Sequence, residues 1–214
     1  MRHRIILADD HEIILDGLRR ILEPEFEIVA AAADGRQLVA EIERLKPEAA
    51  VADISMPLLN GLDALRQCQS ARFRTRFVFL TASPDVTLAT QAFRLGASGY
   101  VLKHAAAEEL VVALREALEG RTYITPRIAN EVLQNLMSRP AGAAKDGSEL
   151  TGREREVLQL VAEGKIVKEI AAVLNVSPRT VEFHKNNLVT KTGLRTNAEL
   201  ARYAARLGLV SESG

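Results

Sequence analysis

Five side chains able to handle a charged oxygen ligand stand just after short apolar runs in the first half of the chain. Asp9 and Asp10 follow Ile5 to Ala8, Asp53 follows Ala50 to Ala52, Thr81 follows Phe77 to Leu80, and Lys103 follows Tyr100 to Leu102. If those runs are neighbouring strands, the three carboxylates meet at one edge. Clustered carboxylates repel, and the usual neutraliser is a hard dication held by oxygen; Mg2+ is the one that leaves positions for phosphate oxygens. With a hydroxyl and an ammonium added, the set suits a phosphoryl ligand. Mg2+ and Lys103 would offset the incoming oxygens while Asp53 attacks phosphorus in line, forming an acyl phosphate. Asp9 alone or Thr81 alone reads as a solvated strand-end or capping residue. The full set in this order does not.

The elements that must position these groups follow from the apolar pattern. Arg4 to Ala8, Ile28 to Ala32, Ala49 to Ala52, Arg76 to Leu80 and Gly99 to Leu102 are short, continuously apolar runs, as strands buried on both faces are. Glu12 to Leu22, Gly35 to Leu45, Leu58 to Ala71, Pro84 to Leu95 and Ala107 to Glu119 carry helical spacing between them. Five strand-helix units predict a doubly wound α/β parallel sheet of five strands, with ligands at the carboxyl ends of the strands.

Beyond Arg121 this alternation stops. An amphipathic stretch, Pro126 to Met137, precedes Arg139 to Ser148, which is rich in turn formers and small residues and reads as a linker. Four short helical patterns follow. Thr151 with Glu154 fits a capping box, and Ser177 before Pro178 is a second helix start. The helix from Ser177 buries Val181 and Leu188, seven residues apart, with His184 and Thr192 nearby. Arg179, Glu182, Phe183, Asn186 and Thr190 then share the opposite face, which can read bases in a major groove. Glu182 suits a cytosine amine, Asn186 an adenine and Phe183 a thymine methyl. Lys165, Lys168, Lys185, Lys191 and Arg195 are placed to meet phosphates. A solvated helix face is the bland alternative. The short helical run Lys168 to Val176 ahead of it decides for a helix-turn-helix.

The residues now support a resemblance. Asp9-Asp10, Asp53 to Pro57 with Gly61, Thr81-Ala82 and Gly99 to Lys103 resemble the receiver domain of two-component response regulators, over about residues 1–120. Leu150 to Leu158, Gly164-Lys165, Glu169 to Ala171 and Thr180-Val181 with His184 resemble the LuxR-type DNA-binding domain. Joined, they resemble the NarL/FixJ class. The resemblance implies a flavodoxin-like receiver (1–120), a linker with one amphipathic helix (121–148) and a small all-α helix-turn-helix domain (149–214). It implies Asp53 as phosphoacceptor, Asp10 and Asp53 as direct Mg2+ ligands with Asp9 assisting, and the Ser55 carbonyl completing the metal site. Thr81 and Tyr100 would report phosphorylation, the hydroxyl moving toward the new oxygens and the ring swinging inward. Thr180 joins the DNA-binding set. The implied partners are a sensor histidine kinase, double-stranded promoter DNA, a second copy of the chain when phosphorylated, and RNA polymerase.

Three positions depart from the family pattern. His104 follows Lys103 where many receivers have a proline after a cis bond. Ile166 replaces a serine or threonine that would cap a helix, and Thr192 replaces an apolar residue beside Gly193. His11, next to the acid pair, reads as a polar residue at a helix start rather than as a metal ligand.

Composition agrees with this division. The chain has 214 residues, 47% apolar and 26% charged, which fits a folded chain of two small domains. Its net charge of zero conceals an acidic front, 14 Lys+Arg against 18 Asp+Glu over residues 1–120, and a basic back, 8 against 3 over residues 165–206. No apolar run reaches the roughly 18 residues of a membrane span and no signal peptide opens the chain, so the expected location is the cytoplasm, with no membrane partner. Cys68 is the lone cysteine and reads as a small core hydrophobe. A Mg2+-dependent phosphatase of the haloacid dehalogenase type would carry an aspartate two positions after the nucleophile, where this chain has Ser55. The expectation is therefore a phosphoryl acceptor with at most slow self-dephosphorylation, not an enzyme. A receiver that answers a ligand without phosphorylation is disfavoured by the complete acid set.

Overall fold

The computed structural model describes residues 2–104, 107–137 and 150–210. The stretch Arg139 to Ser148, expected as a linker, lies outside them. The described residues fall into two compact units, the first built around a sheet and the second around four helices.

In the first unit β1 (Arg4–Ala8), β2 (Glu27–Ala32), β3 (Ala49–Ala52), β4 (Arg76–Thr81) and β5 (Gly99–Leu102) alternate with α1 (Glu12–Leu22), α2 (Gly35–Leu45), α3 (Gly61–Ser70), α4 (Val86–Arg94) and α5 (Ala107–Leu118). All strands are parallel, in the order β2-β1-β3-β4-β5-β6. Central strands of this kind are covered on both faces, which is why β1, β3 and β5 are almost wholly buried and read as unbroken apolar runs. Ile5, Leu7, Val51, Val78 and Val101 pack with Leu15, Leu18, Leu110 and Leu114 in one cluster. Each such side chain contributes about 1.5–3 kcal/mol by leaving water.

The expected five strands become six. β6 (Tyr123–Ile124) adds a parallel edge pair to β5, Gly99 opposite Tyr123 and Tyr100 opposite Ile124. Two residues carry no readable alternation, so their pairing is a tertiary outcome. α6 (Pro126–Met137) follows, lies beside α4 and buries Ile128 and Val132. Arg94 of α4 donates to the Asn135 carbonyl at 3.1 Å.

The second unit contains α7 (Gly152–Ala162), α8 (Val167–Leu174), α9 (Pro178–Thr192) and α10 (Asn197–Arg206). Val157, Leu158, Ile170, Leu174, Val181, Leu188, Leu200 and Ala204 form its core. Thr151 and Glu154 make the reciprocal capping box at α7. Ser177 accepts the Thr180 N–H at 3.1 Å ahead of Pro178. Gly193 ends α9 with φ 72°, a left-handed cap that favours glycine. Ile166 supplies no capping oxygen to α8; the carboxylate of Glu169 accepts its backbone N–H at 2.8 Å instead. Thr192 is half-buried without strain on its hydroxyl, which donates to the Leu188 carbonyl at 2.7 Å.

Glu154 is buried, yet it carries a charge. Burial alone would raise its pKa, but the hydrogen bond from Lys191 (2.7 Å) and that from the Thr151 backbone outweigh burial and hold it below the usual carboxylate value. A folded pKa below the unfolded value of about 4.3 makes this contribution full above that pH and lost as pH falls through the lowered folded value. Glu154→Gln should therefore destabilise the second unit by about 1–3 kcal/mol near neutrality. Urea unfolding across pH should show the gap between variant and wild type closing in acid; a constant gap would exclude the ion pair as its source.

Candidate functional site

The carboxyl ends of β1, β3, β4 and β5 bring the expected groups together. Asp9 and Asp53 directly follow β1 and β3, which pair in register, and the Asp53 N–H donates to the Ala8 carbonyl at 2.8 Å. Both carboxylates are buried, Asp9 at 1% and Asp53 at 6% exposure. The Lys103 ammonium lies between them, 2.6 Å from Asp9 Oδ2 and 2.7 Å from Asp53 Oδ2. Burial opposes the Lys103 charge, but the hydrogen bonds with Asp53 and Asp9 overcome it and hold the pKa above the ordinary lysine value. Two carboxylates against one ammonium leave the pocket negative.

Asp53 is fixed from both sides. Its Oδ1 accepts the N–H groups of Ile54 (2.6 Å) and Ser55 (3.3 Å), leaving Oδ2 directed at Lys103. The loop after it folds tightly back, the Gly61 N–H donating to the Ile54 carbonyl at 2.8 Å. A Cβ at Gly61 would lie 2.3 Å from the Asp53 carbonyl oxygen and 3.1 Å from the Ile54 Cα. Glycine is required there by the close approach of backbone, a reason the sequence pattern could not supply.

Asp10 is more exposed than Asp9 and stands beside His11. The His11 Nδ1 is 3.0 Å from Asp9 Oδ1 and 3.0 Å from Asp10 Oδ1, and its backbone N–H also donates to Asp9 Oδ1 at 3.0 Å. The hydrogen bond with Asp9, then the charge of Asp10, raises the imidazole pKa. His11 does precede α1, as expected of a helix-start residue, but its ring forms no cap and faces the carboxylates instead. Among the described residues Asp9, Asp10 and His11 form a group close enough to share a cation.

Thr81 is buried at the end of β4, and its Oγ1 accepts the Ser83 N–H at 3.2 Å. The Tyr100 ring is fully buried, and its hydroxyl donates to the Ser83 carbonyl at 3.0 Å. The ring is thus inward in this structure, and one residue, Ser83, links Thr81 to Tyr100. No described peptide bond is cis, so Lys103 to His104 is trans. Cys68 is buried, which pushes its thiol up to about 12.

In the second unit α9 divides as its spacing predicts. Val181 and Leu188 are buried, while Arg179, Glu182, Phe183, Asn186 and Thr190 are exposed, Phe183 at 60% with its ring edge-on to His184. Lys168 and Arg195 are exposed, and Lys165 and Thr180 are half-exposed. Two expected phosphate contacts already have protein partners: Lys191 pairs with Glu154, and Lys185 donates to Asn197 Oδ1 at 3.0 Å. Leu200, Ala204 and Leu207 of the final helical segment are buried in the unit's own core.

Comparison with known proteins agrees along the whole chain. The model of the response regulator receiver domain matches residues 5–115, and that of bacterial regulatory proteins of the luxR family matches residues 148–204. The chain is 36% identical to the oxygen regulatory protein NreC of Staphylococcus aureus, over 97% of this chain and 99% of that protein. Among solved structures, a LuxR-family two-component response regulator from Aurantimonas sp. SI85-9A1 aligns with TM-score 0.60 and 34% identity, over 64% of this chain and all of that one. RcsB from Salmonella enterica serovar Typhimurium, bound to a promoter with the phosphomimetic BeF3-, aligns with TM-score 0.61 and 27% identity, over 96% of this chain and 100% of that one. No helix of the described residues is long and apolar enough to cross a membrane. The chain belongs to the two-component response regulators of the NarL/FixJ type, in which a receiver domain is joined to a LuxR-type helix-turn-helix.

Proposed function

We propose that Asp53 accepts a phosphoryl group from a sensor histidine kinase and that this controls binding of promoter DNA through α9. The observation that carries the reading is the convergence of two buried carboxylates on the Lys103 ammonium at 2.6 and 2.7 Å. Such an arrangement leaves negative charge uncompensated unless a further cation joins it.

The donor set fits Mg2+, because Asp9 and Asp10 offer hard carboxylate oxygens close together and Asp53 follows the paired strand beside them. Asp10, Asp53 and the Ser55 carbonyl would hold the ion, with Asp9 assisting, and the bound ion would supply positive charge to the phosphoryl oxygens. The chain's own groups do the rest. Backbone N–H groups fix the Asp53 carboxylate plane through Oδ1, so Oδ2 meets phosphorus in line. A bond forms from the carboxylate oxygen to phosphorus as the bond to the donor's leaving atom breaks, and the leaving atom keeps the electron pair. Lys103, already hydrogen-bonded there, transfers its N–H donors to the new oxygens. Self-dephosphorylation would be slow, since Ser55 stands where a phosphatase would place an acid.

Phosphorylation then shifts a population of receiver forms toward one that pairs as a homodimer on DNA. NreC is an oxygen regulatory protein, and the RcsB structures hold promoter DNA and dimers; these relatives support a transcription factor acting in the cytoplasm, with RNA polymerase as a further partner. Arg179, Thr180, Glu182, Phe183 and Asn186 supply the reading face. Lys165, Lys168, Lys185 and Arg195 meet phosphates, while Lys191, held by Glu154, contributes less than its position in sequence implies.

With Mg2+ and acetyl phosphate, intact-mass measurement should show one added phosphoryl group on the wild-type chain and none on Asp53→Ala; equal labelling of both refutes the assignment. Gly61→Ala, which forces Asp53 out of place, should stay folded at a cost of about 1–3 kcal/mol and lose most of its labelling rate. Wild-type labelling by this variant would show that the close approach is not needed. In DNA-binding titrations against salt, Lys168→Ala should weaken all sequences alike and reduce the salt slope by about 1, whereas Asn186→Ala should alter sequence preference by about 1–3 kcal/mol at one position. Identical behaviour of the two variants would remove the division between reading and phosphate residues.

A further inference from the structure

Thr125 lies directly before α6, beyond residues 5–115 of the receiver match, yet its side chain reaches back to the strand that carries Lys103. Its Oγ1 accepts the Leu102 N–H at 3.2 Å and donates to Glu109 Oε1 at 2.6 Å. Its backbone N–H donates to the Tyr100 carbonyl at 3.0 Å. A hydroxyl has one proton to give and lone pairs to accept with, so both side-chain bonds form at once. The Glu109 carboxylate only accepts. It therefore takes the Thr125 proton and leaves an oxygen lone pair for Leu102. The same carboxylate also meets Tyr123 of β6: burial, then the charge and hydrogen bond of Glu109, raises its phenol pKa.

The position of these bonds gives them their effect. The β5 to β6 ladder ends at Tyr100 opposite Ile124, so the Leu102 N–H has no strand carbonyl beside it, and Leu102 is fully buried. Successive strand N–H groups point to opposite edges. Leu102 is held from the β6 side by the Thr125 hydroxyl, and Lys103 from the β4 side by the Thr81 carbonyl at 2.8 Å. These two bonds fix the backbone from which the Lys103 side chain reaches Asp9 and Asp53. A reacting group displaced by about 1 Å can lose on the order of a hundredfold in rate.

We propose that Thr125 is a positioning residue for phosphoryl acceptance at Asp53: its hydroxyl, aimed by Glu109, pins the end of β5 that presents Lys103. This rests on the reading of Asp53 as the phosphoacceptor. The strand and helix after the receiver are then part of the phosphorylation machinery, not only a connection.

The test uses the full chain and three proteins, wild type, Thr125→Val and Thr125→Ser. Valine keeps the branched shape and removes the hydroxyl, while serine restores it. Thermal unfolding of each sets a temperature at which all three are folded, and intact-mass labelling with acetyl phosphate and Mg2+ is followed there. Thr125→Val should label about tenfold more slowly and Thr125→Ser within about twofold of wild type. Labelling of Thr125→Val at the wild-type rate, or of Thr125→Ser as slowly as the valine variant, overturns the positioning role while Asp53 stands. A wild-type chain that takes up no phosphoryl group removes the phosphoacceptor reading and this role with it.

Discussion

The structure of the first unit is organised by one electrostatic constraint: an ammonium set between two carboxylates that protein has taken out of water. Lys103 meets Asp9 at 2.6 Å and Asp53 at 2.7 Å, and each partner comes from a different strand. Removing Lys103 would leave two buried carboxylates without their counter-charge, which costs several kcal/mol. The strands must therefore end level with one another, and the paired register Ala8 with Ala52 and Thr81 with Leu102 does this. The tight loop after Asp53 and the glycine beneath it serve the same end, since a carboxylate that could rotate would lose its bond to Lys103. This compensation is incomplete, since one ammonium meets two carboxylates, and the excess negative charge favours a further cation.

Much of this could be read from residue order. β1, β3 and β5, as well as α1 and α2, span the residues that their apolar spacing predicts, because buried parallel strands and amphipathic helices leave strong local patterns. The acid, hydroxyl and ammonium positions followed from the rule that ligands sit at carboxyl ends of strands. The features whose physical reason no local pattern carried share a cause. β6 is two residues long, Thr125 acts through a hydroxyl on a backbone group 23 residues earlier, and Gly61 matters through a 2.3 Å approach. Each is a contact between parts of the chain distant in sequence or visible only once the backbone is placed, and no local period reports it. The ion pair of Lys191 with the buried Glu154 on α7 is another such contact, between residues 37 apart.

The second unit shows how departures from a family pattern are absorbed. Ile166 brings no oxygen to the start of α8, and the Glu169 carboxylate satisfies its N–H instead, so one half of a capping box does the work of a cap. The cost falls outside the helix, where the isoleucine side chain stays exposed to solvent. Thr192, in place of an apolar residue, turns its hydroxyl onto the preceding turn and keeps its methyl half-buried. Neither change touches the face of α9 that carries Arg179, Glu182, Phe183 and Asn186. Packing and reading are separable on a helix because its two sides are set by different residues.

Thr81, at the pocket, and the buried Tyr100 are joined through Ser83. Thr81 accepts its N–H and Tyr100 donates to its carbonyl, so the two successive peptide groups of one residue are bonded to both. The Tyr100 hydroxyl lies in a site where burial, then the charges of Asp85 and Asp53, raise its pKa, so it stays protonated and must donate. If the Thr81 hydroxyl turns toward phosphoryl oxygens, the Ser83 N–H loses its partner and the loop ahead of α4 must move. A fully buried phenol deprived of its acceptor costs about 1–3 kcal/mol, enough to favour a new partner or a new ring position rather than a graded drift. On this geometry a turn of the Thr81 hydroxyl would be passed to Tyr100 through Ser83 as an exchange of hydrogen bonds.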